Sequence, residues 1–384
     1  MKKFVVFMLV IFMSFPAFIK ADNLTLAPNS KSAIMLEVST GEILFEKNSH
    51  ERLHPASMTK MMSLLLIMES IEKNIIKLDD MVTVSSNASG MGGSQILLET
   101  NEQMSVDDLI KGVTIASGND AVVALAERIA GTEEEFVNMM NNKVKELGLN
   151  DTNFKNSHGL DAANHYSSAY DMSIIAKELV KHEKILEYSR IYEMYLRENT
   201  DRKIWLVNTN KLVRFYNGVD GLKTGYTKEA GYCLTATAKK NDMRIIAVVM
   251  GEPDSSTRNS EVTGMLDYAF SQYEIEKLLS KESIIGETLV EKGTNKYVKL
   301  VPTSDVTVLN KKINGKKNAT YEVEVDNIIA PVTKGSIVGK LHIKEDDNLT
   351  RTIDITVSED VKKANLFELY LRYLKEILIG DVGI

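Results

Sequence analysis

Residues 55–68 read PASMTKMMSLLLIM, and the rest of the chain is organised around this stretch. Apolar side chains fall on every side of the run after Lys60, with no Gly or Pro inside it, which predicts a helix buried all round. Pro55 suits a first helical turn, where its missing N–H costs nothing, so we expect the helix to begin at Pro55 or within one residue of it. Ser57 and Lys60 then share one face, because side chains three positions apart on a helix are neighbours. A hydroxyl and an amine are thus predicted to meet at a helix N-terminus, where unpaired N–H groups favour a developing oxyanion.

The composition is typical of an exported globular protein. The 384 residues are 44% hydrophobic and 26% charged, which allows two or three domains with real cores. Residues 1–21 start Met-Lys-Lys and continue with the apolar run Phe4 to Phe18, a pattern that predicts a secretory signal cleaved after Ala21. The alternative is an uncleaved membrane anchor, but the apolar run is shorter than the ~20 residues of a spanning helix.

The net charge argues against a nucleic-acid partner, and the cysteine content excludes an internal disulfide. Loss of residues 1–21 removes three lysines, and the remaining 43 basic residues against 53 acidic ones leave a net charge of −10. We therefore expect no nucleic-acid partner. The single cysteine, Cys233, permits no internal disulfide and lies in an apolar-alternating segment, so we interpret it as a buried small residue and not as a nucleophile.

Periodicity between residues 33 and 270 predicts strands and helices in alternation. Residues 33–38 and 42–46 are strand-like and flank a hairpin signal, and strands at 231–238 and 243–250 are expected to form the centre of the sheet. Helices are predicted from Ser105, over 121–130, from Thr132 to Gly148, from Ser168, over 184–195 and over 258–270. The Ser- and Gly-rich segment 81–98 is predicted to be a loop without a catalytic role.

The chain changes character near residue 273. Strand-like runs at 297–301, 306–309, 321–325, 337–343 and 351–357 predict a small separate β-sandwich, interpreted as a spacer or binding module. Residues 365–379 form an amphipathic pattern with a wide apolar face. This pattern favours a helix that lies in a membrane interface, with packing on a partner protein as the alternative.

Three motifs follow one another along the chain: Ser57-Met58-Thr59-Lys60, Ser117-Gly118-Asn119 in a tight turn between two helices, and Lys223-Thr224-Gly225 leading into a strand. Either of the first two alone has an ordinary explanation, a chance quartet or a helix–helix corner. The ordered set resembles S-x-x-K, S-x-N and K-T-G of the penicillin-recognising serine enzymes. The longer stretches 54–61, 117–121, 158–161 and 220–227 are similar to those of low-molecular-mass penicillin-binding proteins, serine-type D-alanyl-D-alanine carboxypeptidases.

This resemblance implies an α/β (α+β) fold of the penicillin-recognising serine transferase and β-lactamase-like type, with an all-α subdomain. The implied order is a signal peptide at 1–21, a DD-peptidase catalytic domain at 22–272, a small all-β sandwich domain at 273–358 and an amphipathic membrane-associating helix at 359–384. The protein is expected at the outer face of the cytoplasmic membrane, held there by that helix.

The residue types suggest how the site works. Lys60 can take the proton of Ser57 only when neutral, a state that burial and the neighbouring cation Lys223 favour. Ser117 can pass a proton toward the leaving D-alanine nitrogen, and Asn119 can hold a substrate amide and Lys60 in place. Lys223 is therefore expected to tune Lys60 as well as to bind substrate.

Further substrate-binding residues are assigned from residue types and from the resemblance. Thr224, like Lys223, suits the terminal carboxylate of the peptide. The resemblance implies an oxyanion hole of the backbone N–H groups of Ser57 and Tyr226, reached through Gly225; many members have His at the position of Tyr226. It also implies that Arg258 lies near the substrate carboxylate, whereas His158 and Asp161 are expected to be structural.

The expected reaction is formation of an acyl-enzyme on Ser57 from a peptidoglycan stem pentapeptide ending in D-Ala-D-Ala, then hydrolysis, without metal or cofactor. β-Lactam antibiotics are expected to acylate the same serine. Three alternatives stay open: an endopeptidase acting on cross-links, a class A-like β-lactamase, and a non-catalytic wall-binding protein. Glu146-Leu147-Gly148-Leu149-Asn150 imitates the E-x-x-L-N signature of such β-lactamases, but we interpret it as a helix end with Gly148 as the residue after the cap.

Overall fold

The computed structural model describes residues 25–346 and 348–379. The predicted signal peptide at 1–21 and the last five residues of the predicted tail lie outside the described residues. From residue 25 to 272 the chain forms, in order, β1 (Ser32–Glu37), β2 (Ile43–Lys47), a 3₁₀ turn (Ala56–Thr59), α1 (Lys60–Glu72), β3 (Met81–Thr83), α2 (Ser86–Ser89), β4 (Gln103–Ser105), α3 (Val106–Ile115), α4 (Asn119–Ala130), α5 (Glu133–Glu146), α6 (Ala169–Leu179), α7 (Glu183–Ser189), β5 (Glu193–Leu196), β6 (Ile204–Val207), α8 (Leu212–Phe215), β7 (Val219–Thr227), β8 (Gly231–Lys240), β9 (Met243–Glu252) and α9 (Ser255–Gln272).

The remaining described residues form, in order, β10 (Tyr273–Leu279), β11 (Gly286–Glu291), β12 (Tyr297–Pro302), β13 (Val306–Lys311), a second 3₁₀ turn (Lys312–Asn314), β14 (Ala319–Val325), β15 (Ile328–Ile329), β16 (Ile337–Glu345), β17 (Asn348–Val357) and α10 (Leu366–Ile379). The chain is thus mixed α/β up to residue 272 and β-rich beyond it, in agreement with the predicted fold class.

A five-stranded antiparallel sheet in the order β2-β1-β9-β8-β7 is the centre of the first part. The hairpin β1–β2 and the central pair β8–β9 are those expected from the alternating pattern. One face of the sheet packs on α9, which buries Val262, Met265 and Leu266, and the opposite face packs on the helical core around α1. Cys233 lies buried in β8, as predicted.

The helix of residues 55–68 is buried all round, as its pattern predicts. It begins at Ala56, within one residue of Pro55, but its first turn, Ala56–Thr59, is a 3₁₀ helix that continues as α1 from Lys60. The N–H of Met58 donates to the carbonyl of Pro55, a 3.1 Å bond of the i→i+3 type. Side chains three residues apart eclipse in a 3₁₀ helix, so this geometry brings Ser57 and Lys60 into register.

The predicted caps fix the helices that surround α1. Ser105, Thr132 and Ser168 each accept a hydrogen bond from the backbone N–H three residues later, at the starts of α3, α5 and α6. The Ser117-Gly118-Asn119 turn joins α3 to α4, and Gly148, at φ +68°, follows the cap of α5. The local sequence therefore determines where these helices begin and end.

The predicted helix over 184–195 is wrong in its second half. Helix α7 ends at Ser189, and residues 193–196 form β5, which pairs with β6. The side-chain amide of Asn208 donates to the carbonyls of Ser189 and Ile191, at 2.9 and 2.8 Å. The carbonyls of Ser189 and Ile191 thus bond the side chain of Asn208, which follows β6, and not the backbone of a continuing helix. Local periodicity cannot predict this, because Asn208 is distant in sequence.

The β-rich part has its own core and contacts the first part at several places, among them a hydrogen bond of Arg351 to the carbonyl of Ser39 at 2.8 Å. Six strands form a sheet in the order β14-β16-β17-β12-β11-β15, whose buried face includes Leu341, Ile343 and Ile355. The sequence pattern did not predict β10 or β11, so in the pair β10–β13 only β13 was expected. Leu309 of β13 joins the core on the α9 side of the central sheet, so the β-rich part is less separate than expected.

Helix α10 occupies residues Leu366–Ile379, as the amphipathic pattern predicts. Asn365 and Glu368 form a reciprocal capping box at its start, and Arg372 donates to the carbonyls of Gly293 and Thr294. Its exposed apolar side chains are Leu366, Phe367, Tyr370, Leu371, Tyr373, Leu374, Ile377 and Leu378. None of the helices within 25–346 and 348–379 has the length and apolar content needed to cross a membrane.

Candidate active site

Ser57 and Lys60 meet where the 3₁₀ turn passes into α1. Nζ of Lys60 lies 3.1 Å from Oγ of Ser57, 2.6 Å from Oδ1 of Asn119 and 2.7 Å from the carbonyl oxygen of His158. The Lys60 side chain has no exposed surface. Burial, and next the positive charge of Lys223, hold the pKa of Lys60 well below its usual value, although Asp120 opposes this shift. Burial and the charge of Lys223 therefore favour the neutral amine, the form of Lys60 that can accept a proton.

The Ser117-Gly118-Asn119 corner supplies a second side of the site. Ser117 has a left-handed backbone (φ +63°), and its buried Oγ has no hydrogen-bond partner within the described part of the chain. Asn119 at the start of α4 divides its amide between two neighbours: Oδ1 accepts from Lys60, and Nδ2 donates to the carbonyl of Gly92 at 2.7 Å. Ser117 thus retains a free hydroxyl at the site, while Asn119 fixes Lys60.

Asp120 holds the loop 91–98 against this corner through hydrogen bonds. Its carboxylate accepts from the backbone N–H groups of Ile96 at 3.0 and 3.1 Å and of Leu98 at 3.0 Å. The N–H of Asn119 also donates to the carbonyl of Ser94 at 2.7 Å. The segment 91–98, predicted to be a plain loop, therefore forms a wall of the site and contributes Ser94 to it.

Strand β7 is the third side and lies very close to the 3₁₀ turn. A Cβ at Gly225 would stand 2.8 Å from the carbonyl oxygen of Pro55 and 3.2 Å from the nitrogen of Ser57. Only glycine permits this approach. It brings the backbone at Tyr226 toward the N–H of Ser57, the pair of donors that the resemblance implies for an oxyanion hole.

Two buried cationic side chains lie at β7: Lys223, on the strand itself, and Arg258, on the adjacent helix α9. Lys223 is buried and donates to the carbonyl of Thr224, and burial together with the charge of Arg258 lowers its pKa to about 7. Arg258, on α9, is also buried, which lowers its pKa from the usual value, and its guanidinium bonds Oδ1 of Asn259 at 2.9 and 3.1 Å. The Thr224 hydroxyl donates to Thr209 Oγ1 at 2.7 Å. This end of the site can attract a carboxylate.

A cavity of about 480 Å³ lies between the three sides. Of the predicted site residues, Ser57, Ser117, Thr224, Gly225, Tyr226 and Arg258 line it. Lys60, Asn119 and Lys223 stand directly behind these residues through the contacts described above. His158 and Asp161 do not line the cavity; His158 is buried and offers its backbone oxygen to Lys60.

Two family models match parts of the chain. The family model described as D-alanyl-D-alanine carboxypeptidase matches residues 20–254. The chain belongs to this family. A second model, described as the C-terminal domain of penicillin-binding protein 5, matches residues 273–363.

Relatives of the carboxypeptidase family match nearly the whole chain. D-alanyl-D-alanine carboxypeptidase DacF of Bacillus subtilis is 51% identical over 369 residues, which are 95% of this chain and 94% of that protein. The DacA enzyme of Escherichia coli is 33% identical over 90% of this chain and 87% of its own length.

Solved structures agree with this assignment. Penicillin-binding protein 5 of Haemophilus influenzae superposes with a TM-score of 0.70 at 35% identity, over 87% of this chain and 98% of that one. Penicillin-binding protein D2 of Listeria monocytogenes in its ampicillin-bound form has a TM-score of 0.57 at 29% identity, over 63% of this chain and 98% of that one.

Several residues of the cavity wall belong to none of the sequence motifs. The additional lining residues are Ser94, Val207, Thr209, Lys211, Tyr232, Ser255 and Asn259. Two of them are close to Arg258 in sequence: Asn259 lies on the predicted helix 258–270, and Ser255 lies three residues before it, at the observed start of α9. The segment 207–211 offered no sequence signal, because its place beside β7 depends on the β5–β6 hairpin.

The β-lactamase-like glutamate is not part of the cavity. Glu146 ends α5, its side chain is 65% exposed, and it pairs with Lys143 at 2.8 Å. The interpretation of this stretch as a helix end is confirmed by its position before Leu147 and Gly148.

Proposed function

We propose that the chain is a serine D-alanyl-D-alanine carboxypeptidase that removes the terminal D-alanine of peptidoglycan stem pentapeptides through an acyl-enzyme on Ser57. The observation that carries this proposal is the fully buried Lys60 amine, 3.1 Å from the Ser57 hydroxyl, beside a cavity that ends at Arg258. Nucleophile, neutral base and carboxylate-attracting cations therefore stand in one place.

Acylation begins with proton transfer from Ser57 Oγ to Lys60 Nζ. The serine oxygen attacks the carbonyl carbon of the D-Ala-D-Ala bond and gives a tetrahedral oxyanion. The N–H groups of Ser57 and Tyr226 stabilise this charge, a contribution that typically changes kcat by about 10² to 10³ per donor. The close approach of Gly225 to Ser57 supports this assignment.

Collapse of the intermediate requires a proton for the departing D-alanine nitrogen. Ser117 Oγ is buried and otherwise unpartnered within the described chain, and it lies on the cavity wall. It can donate its proton to that nitrogen and regain one from the Lys60 ammonium. Asn119 keeps Lys60 aligned during this exchange through its 2.6 Å contact.

The carboxylate of the terminal D-alanine is bound by Lys223, Thr224 and Arg258. The lowered pKa of Lys223, about 7, reflects burial without a paired anion, and an incoming carboxylate supplies that anion. A free C-terminus is therefore preferred over a cross-linked peptide, which favours carboxypeptidase over endopeptidase action. Water then attacks the acyl-enzyme with Lys60 again as base.

Penicillin labelling tests the proposal directly. A fluorescent penicillin is expected to mark the wild type and to fail with Ser57→Ala, because a β-lactam presents a reactive carbonyl and a carboxylate to the same groups. Ser63→Ala is the matched control: Ser63 lies two turns along on the same helix and donates to the carbonyl of Ser157 at 2.6 Å, away from the cavity. Labelling of Ser57→Ala equal to the control would reject the assignment.

D-Alanine release tests the substrate. The purified wild type is expected to release D-alanine from diacetyl-L-Lys-D-Ala-D-Ala, and Ser57→Ala is not. A protein that takes the penicillin label but releases no D-alanine would be a binding protein. Rapid turnover of benzylpenicillin would instead indicate a β-lactamase.

We further propose export and attachment to the outer face of the cytoplasmic membrane through α10. In this proposal residues 22–272 are the catalytic domain, 273–358 the β-rich domain and 359–384 the membrane-associating segment. The eight exposed apolar side chains of α10 support it, because so wide an apolar face is unfavourable in water. The mature chain is expected to co-sediment with phospholipid vesicles, and a Leu371→Glu, Leu374→Glu variant is not. Equal co-sedimentation of both proteins would contradict membrane attachment through α10.

A further inference from the structure

The wall of the cavity continues outward along β6. Thr209 and Val207 line the cavity, and Trp205 and Lys203 precede them at steps of two residues. Successive side chains of an extended chain point to opposite faces, so these alternate residues share one side. Leu206 and Asn208, which alternate with them, are buried, and Ile204 is half-buried. The cavity therefore opens onto one exposed face of the β5–β6 hairpin.

This hairpin face is aromatic. Trp205, the single tryptophan of the chain, is 57% exposed, and Tyr195 stands directly opposite it on β5 and is 47% exposed. Paired residues of antiparallel strands have neighbouring side chains on the same face. Nζ of Lys203 lies 4.0 Å from the centre of the Tyr195 ring. Two large amphipathic rings and an ammonium thus form a continuous exposed surface, which we call the hairpin platform: Tyr195, Lys203 and Trp205.

A second cavity lies at the far end of the platform. Its volume is about 500 Å³, and its walls include Lys203, Arg197 and Arg202 on one side and Gln95 and Leu97 on the other. The loop that contributes Ser94 to the first cavity therefore also borders the second. Both cavities lie between the same loop and the same hairpin, so the platform is part of a path and not an isolated patch.

We propose that the hairpin platform binds the glycan strand of peptidoglycan while the stem peptide of the same molecule occupies the Ser57 cavity. This inference rests on the proposed function. A pyranose ring has one face made of C–H bonds, which packs on the ring of a Trp or Tyr, and its hydroxyls remain in water. The Lys203 ammonium complements the free carboxylates of the peptide attached to the sugar.

Distances agree with this arrangement. Trp205 is four residues from Thr209, or about 13 Å along an extended chain. A stretched pentapeptide spans about 17 Å. A stem peptide with its carboxyl end at Thr224, which contacts Thr209, can therefore place its sugar-bearing end at Trp205.

The covalent link between the sugar and the bound stem peptide favours the glycan strand over other molecules as the ligand of the platform. Once the peptide is bound, its sugar is held near the platform at a high effective concentration, so a weak stacking contact is enough. A second protein would have to bind this narrow hairpin without such help.

Kinetics with two substrates test the proposal. For GlcNAc–MurNAc-pentapeptide, Tyr195→Ala, Trp205→Ala is expected to raise KM roughly fivefold to tenfold at unchanged kcat, as loss of aromatic contacts predicts. For diacetyl-L-Lys-D-Ala-D-Ala, which has no sugar, KM is expected to remain that of the wild type. Trp205→Phe is expected to retain most of the affinity, and Tyr321→Ala, an exposed aromatic residue of the β-rich part, is the matched control.

Fluorescence provides a measurement independent of turnover. Because Trp205 is the single tryptophan, its emission reports on the platform alone. GlcNAc–MurNAc-tripeptide, which lacks D-Ala-D-Ala, is expected to shift or quench this emission, and the free tripeptide is not. An unchanged emission with the disaccharide, or equal KM changes for both substrates, would overturn the platform. Absence of D-alanine release by the wild type from either substrate would instead reject the proposed function, with the fluorescence result still deciding the platform.

Discussion

Gly225→Ala is expected to damage the oxyanion site while leaving the fold intact. The new Cβ would stand 2.8 Å from the carbonyl oxygen of Pro55 and 3.1 Å from Cβ of Ala56. Ordinary contacts begin at 3.4 Å, so β7 and the 3₁₀ turn must separate by about 0.6 Å. Oxyanion donors act at 2.7–3.1 Å, and loss of one costs about 10² to 10³ in kcat, or roughly 2.7–4 kcal/mol of transition-state stabilisation.

The assay is the rate of acylation of Ser57 by a labelled penicillin, together with D-alanine release. Gly264→Ala is the matched control, because a Cβ at Gly264 on α9 meets no atom within 4 Å. The control is expected to acylate normally and to gain up to about 1 kcal/mol of helix stability. A Gly225→Ala protein that acylates at more than half the wild-type rate would refute the reasoning, since the strand would then not be held against Ser57.

Three further predictions concern charge. Burial and Arg258 lower the pKa of Lys223 to about 7, so kcat/KM for peptide is expected to fall as the pH rises through 7. In the Lys223→Arg variant this decrease is expected at higher pH in a pH–rate profile, because the guanidinium stays charged. Burial and Glu261 raise the pKa of Glu252 to about 8, so the folded protein keeps a proton on this side chain that the unfolded chain releases near pH ~4.3. The free energy of unfolding is therefore expected to fall as the pH rises from about 4 to 8. The Glu252→Gln variant is expected to show a weaker dependence of the unfolding temperature on pH. Asp120→Asn removes a charged acceptor from the N–H groups of Ile96 and Leu98, and we expect a loss of about 1–3 kcal/mol in the free energy of unfolding and a lower acylation rate; a variant with wild-type values in both measurements would contradict this role.

Local sequence determined much of the secondary structure of residues 25–272, because the signals for these elements are short-range. Ser105, Thr132 and Ser168 are caps whose side chains bond a backbone group three residues away, and such bonds need nothing from the rest of the chain. The buried helix at 55–68 and the alternating strands β8 and β9 follow for the same reason, from periodicity alone.

The failures concern segments whose structure depends on distant partners. Residues 190–195 leave the helical path because Asn208 bonds carbonyls at 189 and 191. The loop 91–98 becomes a wall of the site because Asp120 and Asn119 hold its backbone. In both cases the deciding hydrogen bond joins residues that are far apart in sequence, so no local pattern records it.

The sequence by itself determined the family and the order of the three motifs and predicted Ser57 and Lys60 as the nucleophile and its base, because each of these depends on residue type and short spacing. Tertiary structure alone decided how the motifs act together. It buried Lys60 beside Lys223, a condition for a neutral amine, and brought Gly225 against the turn that carries Ser57. It also led the cavity onto the β5–β6 hairpin, where Trp205 and Tyr195 face solvent. Burial and close approach are properties of packed chains, and packing arises only when segments distant in sequence meet.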